Sequence, residues 1–167
     1  VPAGPMASGL PNKAKADVRQ RYARGEASRE ELLEAELAAY HGAGTCTFYG
    51  TANSNQLLME AMGLHVPGSA FVPPDSPLRG ALIDEAARLI VHNSRHGARP
   101  LPLAEMLDAR VLVNGVVAWL ASGGSTNHCL HLPAIARAAG YELRWEDIAA
   151  LSKVVPLLAR IYPNGAA

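Results

Sequence analysis

One thiol in this chain sits in a loop suited to meeting a ligand. The run Gly44-Thr45-Cys46-Thr47-Phe48-Tyr49-Gly50-Thr51-Ala52-Asn53-Ser54-Asn55 brackets Cys46 with glycines and surrounds it with hydroxyls and amides, directly ahead of a helical-reading segment, Gln56 to Met62. A thiolate there would face unpaired backbone N–H groups and the positive end of a helix dipole, which suits it to bind metal or attack carbon. The competing reading is a small buried hydrophobe beside a helix cap, since free cysteines commonly pack that way. A second loop, Gly123-Gly124-Ser125-Thr126-Asn127, repeats the design. Its glycines let a ligand approach the backbone, and its hydroxyls and amide stand at a helix start, an arrangement that favours phosphate, carboxylate or cluster sulfides. Simple helix capping accounts for the same residues. Thr45, Thr47, Ser125, Thr126 and Asn127 are the candidate substrate contacts.

Other chemistry-bearing residues are weaker candidates. His128 and His131 lie three apart on one helix face and could share a metal, but no third ligand stands at a suggestive spacing, which favours a solvent-facing or hydrogen-bonded role. Cys129 sits beside Leu130 and Leu132 and reads as core. His41 and His65 flank the cysteine segment without diagnostic spacing. Lys13, Arg79 and Arg160 could meet a phosphate, against the commoner role of surface charge. There is no GxxxxGK[ST] or GxGxxG fingerprint, no CxxC pair, and no Ser-His-Asp order.

The elements that must position these loops read mostly as helices. Ala14 to Ala23 is a charged helix ending near Gly25, and Ser28-Arg29-Glu30-Glu31 fits a capping box for a helix running to about His41. Thr51 to Met62 forms the next, closed by Gly63. Four prolines keep Val66 to Pro77 extended, after which Ser76 and Pro77 start a helix with Leu78, Leu82, Ala86, Leu89 and Ile90 at helical spacing. Leu103 to Asp108 is a short helix. Val111 to Val117 is ambiguous, its β-branched residues arguing strand and its continuation to Leu120 arguing a buried helix, the reading preferred here. Helices follow over Thr126 to Ala139 and Trp145 to Leu151. Val154 to Ile161 is a possible strand interrupted by Pro156. The expected fold is α/β and helix-rich, with a small, mostly parallel sheet flanked by helices.

Composition narrows the partners. The chain has 167 residues, with Lys+Arg and Asp+Glu both 15, so it lacks the basic field that nonspecific nucleic-acid or anionic-membrane binding needs. The longest apolar run, Val111 to Ala121, is broken by Asn114 and Gly115 and falls short of a membrane span. Two distant cysteines make no disulfide framework, and a reducing cytoplasm is the expected home. The opening residues read as the end of a strand entering a Gly/Pro loop, and Tyr162 to Ala167 stops in turn chemistry. The expectation is an internal stretch of a larger protein.

The two loops also carry a resemblance. The Gly44 to Asn53 run followed by Met62-Gly63, and Asn114-Gly115 followed by Gly123 to Asn127, resemble the iron–sulfur dehydratases that act on dihydroxy acids and aldonic acids. Gly4 to Lys13, Pro74 to Arg79 and Ala159 to Gly165 resemble the same family, in consistent order from end to end. Phe48-Tyr49 stands where the dihydroxy-acid branch has Gly-Met, which favours the phosphogluconate branch. The resemblance implies a hydro-lyase converting 6-phospho-D-gluconate, a phosphorylated sugar acid, to 2-dehydro-3-deoxy-6-phospho-D-gluconate in the Entner–Doudoroff pathway. It implies a [4Fe-4S] cluster with Cys46 as one ligand, and a homodimer. Residues 1–167 would form part of the N-terminal catalytic domain, the remaining ligands and the catalytic base lying outside them, so that the stretch alone would be inactive. The alternatives are a dehydratase of another sugar acid or dihydroxy acid, or a non-catalytic module binding an anion or a partner.

Overall fold

The computed structural model describes residues 6–159. Among them eight helices follow in order: α1 Lys13–Ala23, α2 Arg29–Leu37, α3 Thr51–Ala61, α4 Pro77–Asn93, α5 Leu103–Met106, α6 Ala109–Ser122, α7 His128–Ala138 and α8 Trp145–Ser152. Local chemistry explains several of their ends. The Ser28 hydroxyl accepts from the Glu31 N–H at 3.1 Å while the Glu31 carboxylate accepts from the Ser28 N–H at 2.9 Å, the reciprocal cap read in the sequence. Ser76 accepts from the Arg79 N–H at 3.2 Å, with Pro77 in the first turn of α4. Asp108 accepts from the Val111 N–H at 2.9 Å and starts α6. Gly123, left-handed at φ 62°, ends α6: its own N–H goes to the Leu120 carbonyl and that of Gly124 to Trp119. Helix α2 stops at Leu37 rather than His41. The carbonyls of Ala38 and Ala39 instead accept from the N–H groups of Ser8 and Ala7, at 3.1 and 3.4 Å.

The expected sheet is absent: no strand forms among the described residues, and the fold is all-α rather than α/β. Val111 to Val117, the ambiguous segment, lies inside α6. Leu112, Gly115, Val116, Trp119 and Ser122 are buried there at a helical period, and the Asp108 cap fixes its first turn. Tertiary packing along one face outweighs the β-preference of the valines. The strand proposed from Val154 does not form either. Val154 is exposed within a turn, and the N–H groups of Leu158 and Ala159 both reach the single carbonyl of Ala121 at 2.8 and 3.2 Å, so no ladder can run. The strand end read at the opening falls on residues 1–5 and, like Arg160 and Ile161, lies outside the described residues.

Helix α6 is the centre, with α3, α7 and α8 packed against it. Leu58, Met62, Leu112, Val116, Trp119, Leu132, Ala136 and Ile148 form the core, and the partly buried Cys129 packs on its edge as the sequence suggested. Gly115 permits the close approach of α3, because a Cβ there would lie 2.8 Å from the Met62 sulfur. Pro133 stands inside α7 without an N–H, which leaves the Cys129 carbonyl without its helical donor. The Trp145 indole takes that place at 3.2 Å and ties α8 to α7. Helices α1 and α2 form a separate hairpin, crossed by ion pairs Arg19–Glu36 and Arg21–Glu31, the latter at 3.2 Å. Helix α4 buries none of its residues.

Candidate functional site

The cysteine loop is fixed from both sides by its own polar residues. Thr45 Oγ1 donates to the Gly42 carbonyl at 2.7 Å and accepts from the Gly42 N–H at 3.2 Å, closing a small turn ahead of Cys46. Thr47 is buried, and its hydroxyl donates to Asn12 Oδ1 at 2.5 Å, tying the loop to the segment before α1. Cys46 itself is exposed. Its Sγ–H faces the Phe48 carbonyl at 3.8 Å rather than the N–H groups of α3. The same carbonyl accepts from Asn53 Nδ2 at 2.5 Å, which links the thiol to the first turn of α3.

That first turn is where the two loops meet. Thr51 Oγ1 lies 3.0 Å from Ser125 Oγ and accepts from Asn127 Nδ2 at 2.7 Å. One turn deeper, Ser54 Oγ accepts from the Ser125 N–H at 3.2 Å and lies 2.9 Å from His128 Nε2. The Ser125 carbonyl is held by the Trp119 indole N–H at 2.9 Å. Gly124 makes the closeness possible, because a Cβ there would lie 2.7 Å from Trp119 Cδ1 and 2.8 Å from Ser54 Cβ. Ser125 is half-buried, whereas Thr126 and Asn127 are exposed. Loops some seventy residues apart thus present Thr51, Ser125 and Asn127 together at the start of α3, which has no side-chain cap. Such a surface offers hydroxyls, an amide and helix-end N–H groups to carboxylates, hydroxyls or phosphates.

The remaining candidates separate. His128 is fully buried and bonded to Ser54, with the His131 ring centroid 5.7 Å away. Burial, and secondarily the neighbouring His131, push the His128 pKa down, so the ring is neutral at ordinary pH. No group of three or more His, Cys, Asp or Glu side chains able to hold a metal occurs among the described residues. Arg79 donates to the carbonyls of Ser69 and Val72, at 2.9 and 2.5 Å, and braces the proline-rich loop. Lys13, His41 and His65 are exposed, and His65 lines a groove away from the loops. Sequence reading included Ser54 in the cysteine-loop stretch but gave it no role of its own, although it joins α3 to the second loop. Nothing in a lone serine within a helical run marks a partner 74 positions away.

The whole of residues 1–167 matches the family model described as dihydroxy-acid/6-phosphogluconate dehydratase, N-terminal. The chain is 59% identical to the phosphogluconate dehydratase of Escherichia coli strain K12 and 60% identical to that of Pseudomonas aeruginosa, in each case over 100% of the chain and 28% of the relative. It is 35% identical to the dihydroxy-acid dehydratase of Streptococcus suis over 87% of the chain and 25% of that relative. The chain therefore spans a little over a quarter of the length of the curated relatives it matches. Both the Cys46 loop and the Ser125–Asn127 loop fall within the family match, and on that match the chain belongs to the dihydroxy-acid/6-phosphogluconate dehydratase family, in its N-terminal region.

Proposed function

We propose that the protein containing this chain dehydrates 6-phospho-D-gluconate to 2-dehydro-3-deoxy-6-phospho-D-gluconate, and that these residues supply one wall of its active site. The 59–60% identity to phosphogluconate dehydratases over the whole chain, against 35% to a dihydroxy-acid dehydratase, supports the substrate class over the dihydroxy acids. The single structural observation that supports a site here is the joining of the cysteine loop to the Ser125–Asn127 loop through Thr51 and Ser54. The reaction removes a proton from C2 and the hydroxyl from C3 as water, and the enol formed tautomerises to the keto acid.

The family's [4Fe-4S] cluster is compatible with the residues present in one respect. Cys46 is an exposed thiol on a braced loop, able to act as one ligand of several, while no complete ligand set occurs among the described residues. When bound, such a cluster supplies a Lewis acid that eases departure of a poor leaving group. Cys46 is its ligand from this chain. Thr45 and Thr47, whose hydroxyls are committed to Gly42 and Asn12, fix the path of Cys46. Ser125, Thr126 and Asn127 orient the oxygen atoms of the sugar acid at the start of α3. The working enzyme is a cytoplasmic homodimer in this reading.

In the full-length protein, Cys46→Ser should lower both bound iron and dehydration to a few per cent of wild type or less. Unchanged iron content with full turnover would remove the thiol from the site. Competing 6-phosphogluconate, gluconate and a branched dihydroxy acid for the intact enzyme tests the substrate. A preference for either unphosphorylated acid would overturn the assignment.

A further inference from the structure

The most deeply buried polar ring among the described residues is placed to set the geometry of the site without touching its surface. His128 is 0% exposed, begins α7 and reaches across to α3. We propose that His128 is a positioning residue: through Ser54 its neutral imidazole holds the first turn of α3 against the backbone of Ser125. The proposal rests on the reading that Ser125–Asn127 meet substrate there.

The argument begins with the valence of one hydroxyl. Ser54 Oγ has one proton and two lone pairs. Its proton goes to the Gly50 carbonyl, the residue that opens α3, at 2.8 Å. One lone pair accepts the Ser125 N–H at 3.2 Å, which leaves the other for an N–H of His128 at 2.9 Å. That pattern assigns the proton of His128 to Nε2 and leaves Nδ1 as a bare acceptor. Nδ1 is buried and has no partner, so a second proton there would be both desolvated and unbonded. His128 is thus a fixed donor.

Removing that donor frees Ser54. A second acceptor, the Thr51 carbonyl, already lies 3.5 Å from its Oγ, so the hydroxyl can turn away and release Ser125. Ser125 would then be held at its carbonyl by Trp119 but no longer at its N–H. Its side chain, and the Thr51–Asn127 bond beside it, would lose their register with the helix start. Small displacements of orienting groups are costly in catalysis, up to on the order of 100-fold per ångström. Three neighbouring observations fit a rigid clamp. The Trp119 ring meets His128 edge-on, with centroids 6.3 Å apart, Gly124 has no room for a side chain against Ser54, and the His131 ring closes the other side.

The test uses the full-length enzyme with His128→Ala, His128→Gln, Ser54→Ala and the Ser54/His128 double alanine variant. A glutamine amide can reproduce the Nε2–H donor. The expected result for His128→Ala is a fall in kcat on the order of 10- to 100-fold per iron-loaded enzyme, larger than any change in KM. Glutamine should recover most of it, and the double variant should be no worse than the poorer single. Amide exchange over residues 124–127 should accelerate in His128→Ala and return to wild type in His128→Gln. A His128→Ala enzyme with normal iron and a kcat within twofold of wild type would overturn the proposal, as would glutamine failing to improve on alanine. Should His128→Ala not fold, the pair His128→Gln and Ser54→Ala decides: the first must stay near wild type and the second must be impaired. A wild type that dehydrates no sugar acid would remove the functional reading alone, because the exchange measurement still tests the clamp.

Discussion

Helices α6 and α4 are both long and both carry apolar residues at helical spacing, yet they have opposite fates. Five of the fourteen residues of α6 are buried, with α3, α7 and α8 around it. None of the seventeen residues of α4 is buried, and Leu78, Ile83, Ile90 and Val91 stand exposed. A groove of about 820 Å³ runs beside it, lined by Leu82, Ile83, Ala86, Leu89 and Ile90 and by the turn from Gly63 to Ser69. An apolar stripe fixes which face of a helix is available for burial. Whether the face is buried depends on a partner element, and a stripe says nothing of where that partner lies. The polar site belongs to the first region, whose loops are held by buried hydrogen bonds that only a packed neighbour can complete.

The contrast can be broken by mutation. Leu132, wholly buried against α6, should cost about 2–5 kcal/mol when truncated to alanine, read as a drop in the urea midpoint. Gly124→Ala forces a methyl against Trp119 and Ser54 and should cost about 1–3 kcal/mol, with faster amide exchange around Ser125. Neutral behaviour in either variant would mean that the α3–α6–α7 packing is looser than described.

The buried imidazole sharpens the contrast through pH. Because burial lowers the His128 pKa below that of the unfolded chain, the unfolded state binds more protons in this range. Its contribution is therefore present above the ordinary histidine range near pH 6.5 and is lost as pH falls through the lower folded value. Urea midpoints of the wild type should decline below about pH 6.5 more steeply than those of His128→Gln. Equal slopes would exclude this ring as the cause. The smallest effect is expected on α4. Ile90→Ala in the 167-residue chain should change stability by less than about 0.5 kcal/mol. A cost of about 2 kcal/mol or more in the longer protein, where a neighbour can cover the helix, would show that α4 is bare only in this stretch.

Much of the local structure was readable from residue types. The Ser28–Glu31 box, the Ser76-Pro77 start and the glycine stop after Met62 each act within a few positions and formed as read. The sheet did not. Val111 to Val117 carries strand-like residues but winds as a helix, the reading preferred from sequence, with the Asp108 cap in its first turn and Met62 and Leu132 packed against it. At the site, Cys46 and the Ser125–Asn127 run stood out by composition; Cys46, Thr126 and Asn127 are exposed and Ser125 is half-buried. The inward turn of Thr47 onto Asn12, 35 positions away, gave no signal in the chain.

The sequence by itself determined several helix starts and stops and which loops are rich in ligand-type groups, because caps, prolines and glycines act through bonds spanning a few residues. The tertiary structure alone decided that the two loops form one surface, that Ser54 and His128 join them, and that α6 rather than α4 is buried. Those outcomes depend on hydrogen bonds and contacts between residues some seventy positions apart, whose pairing is set by how helices pack and not by the order of their side chains.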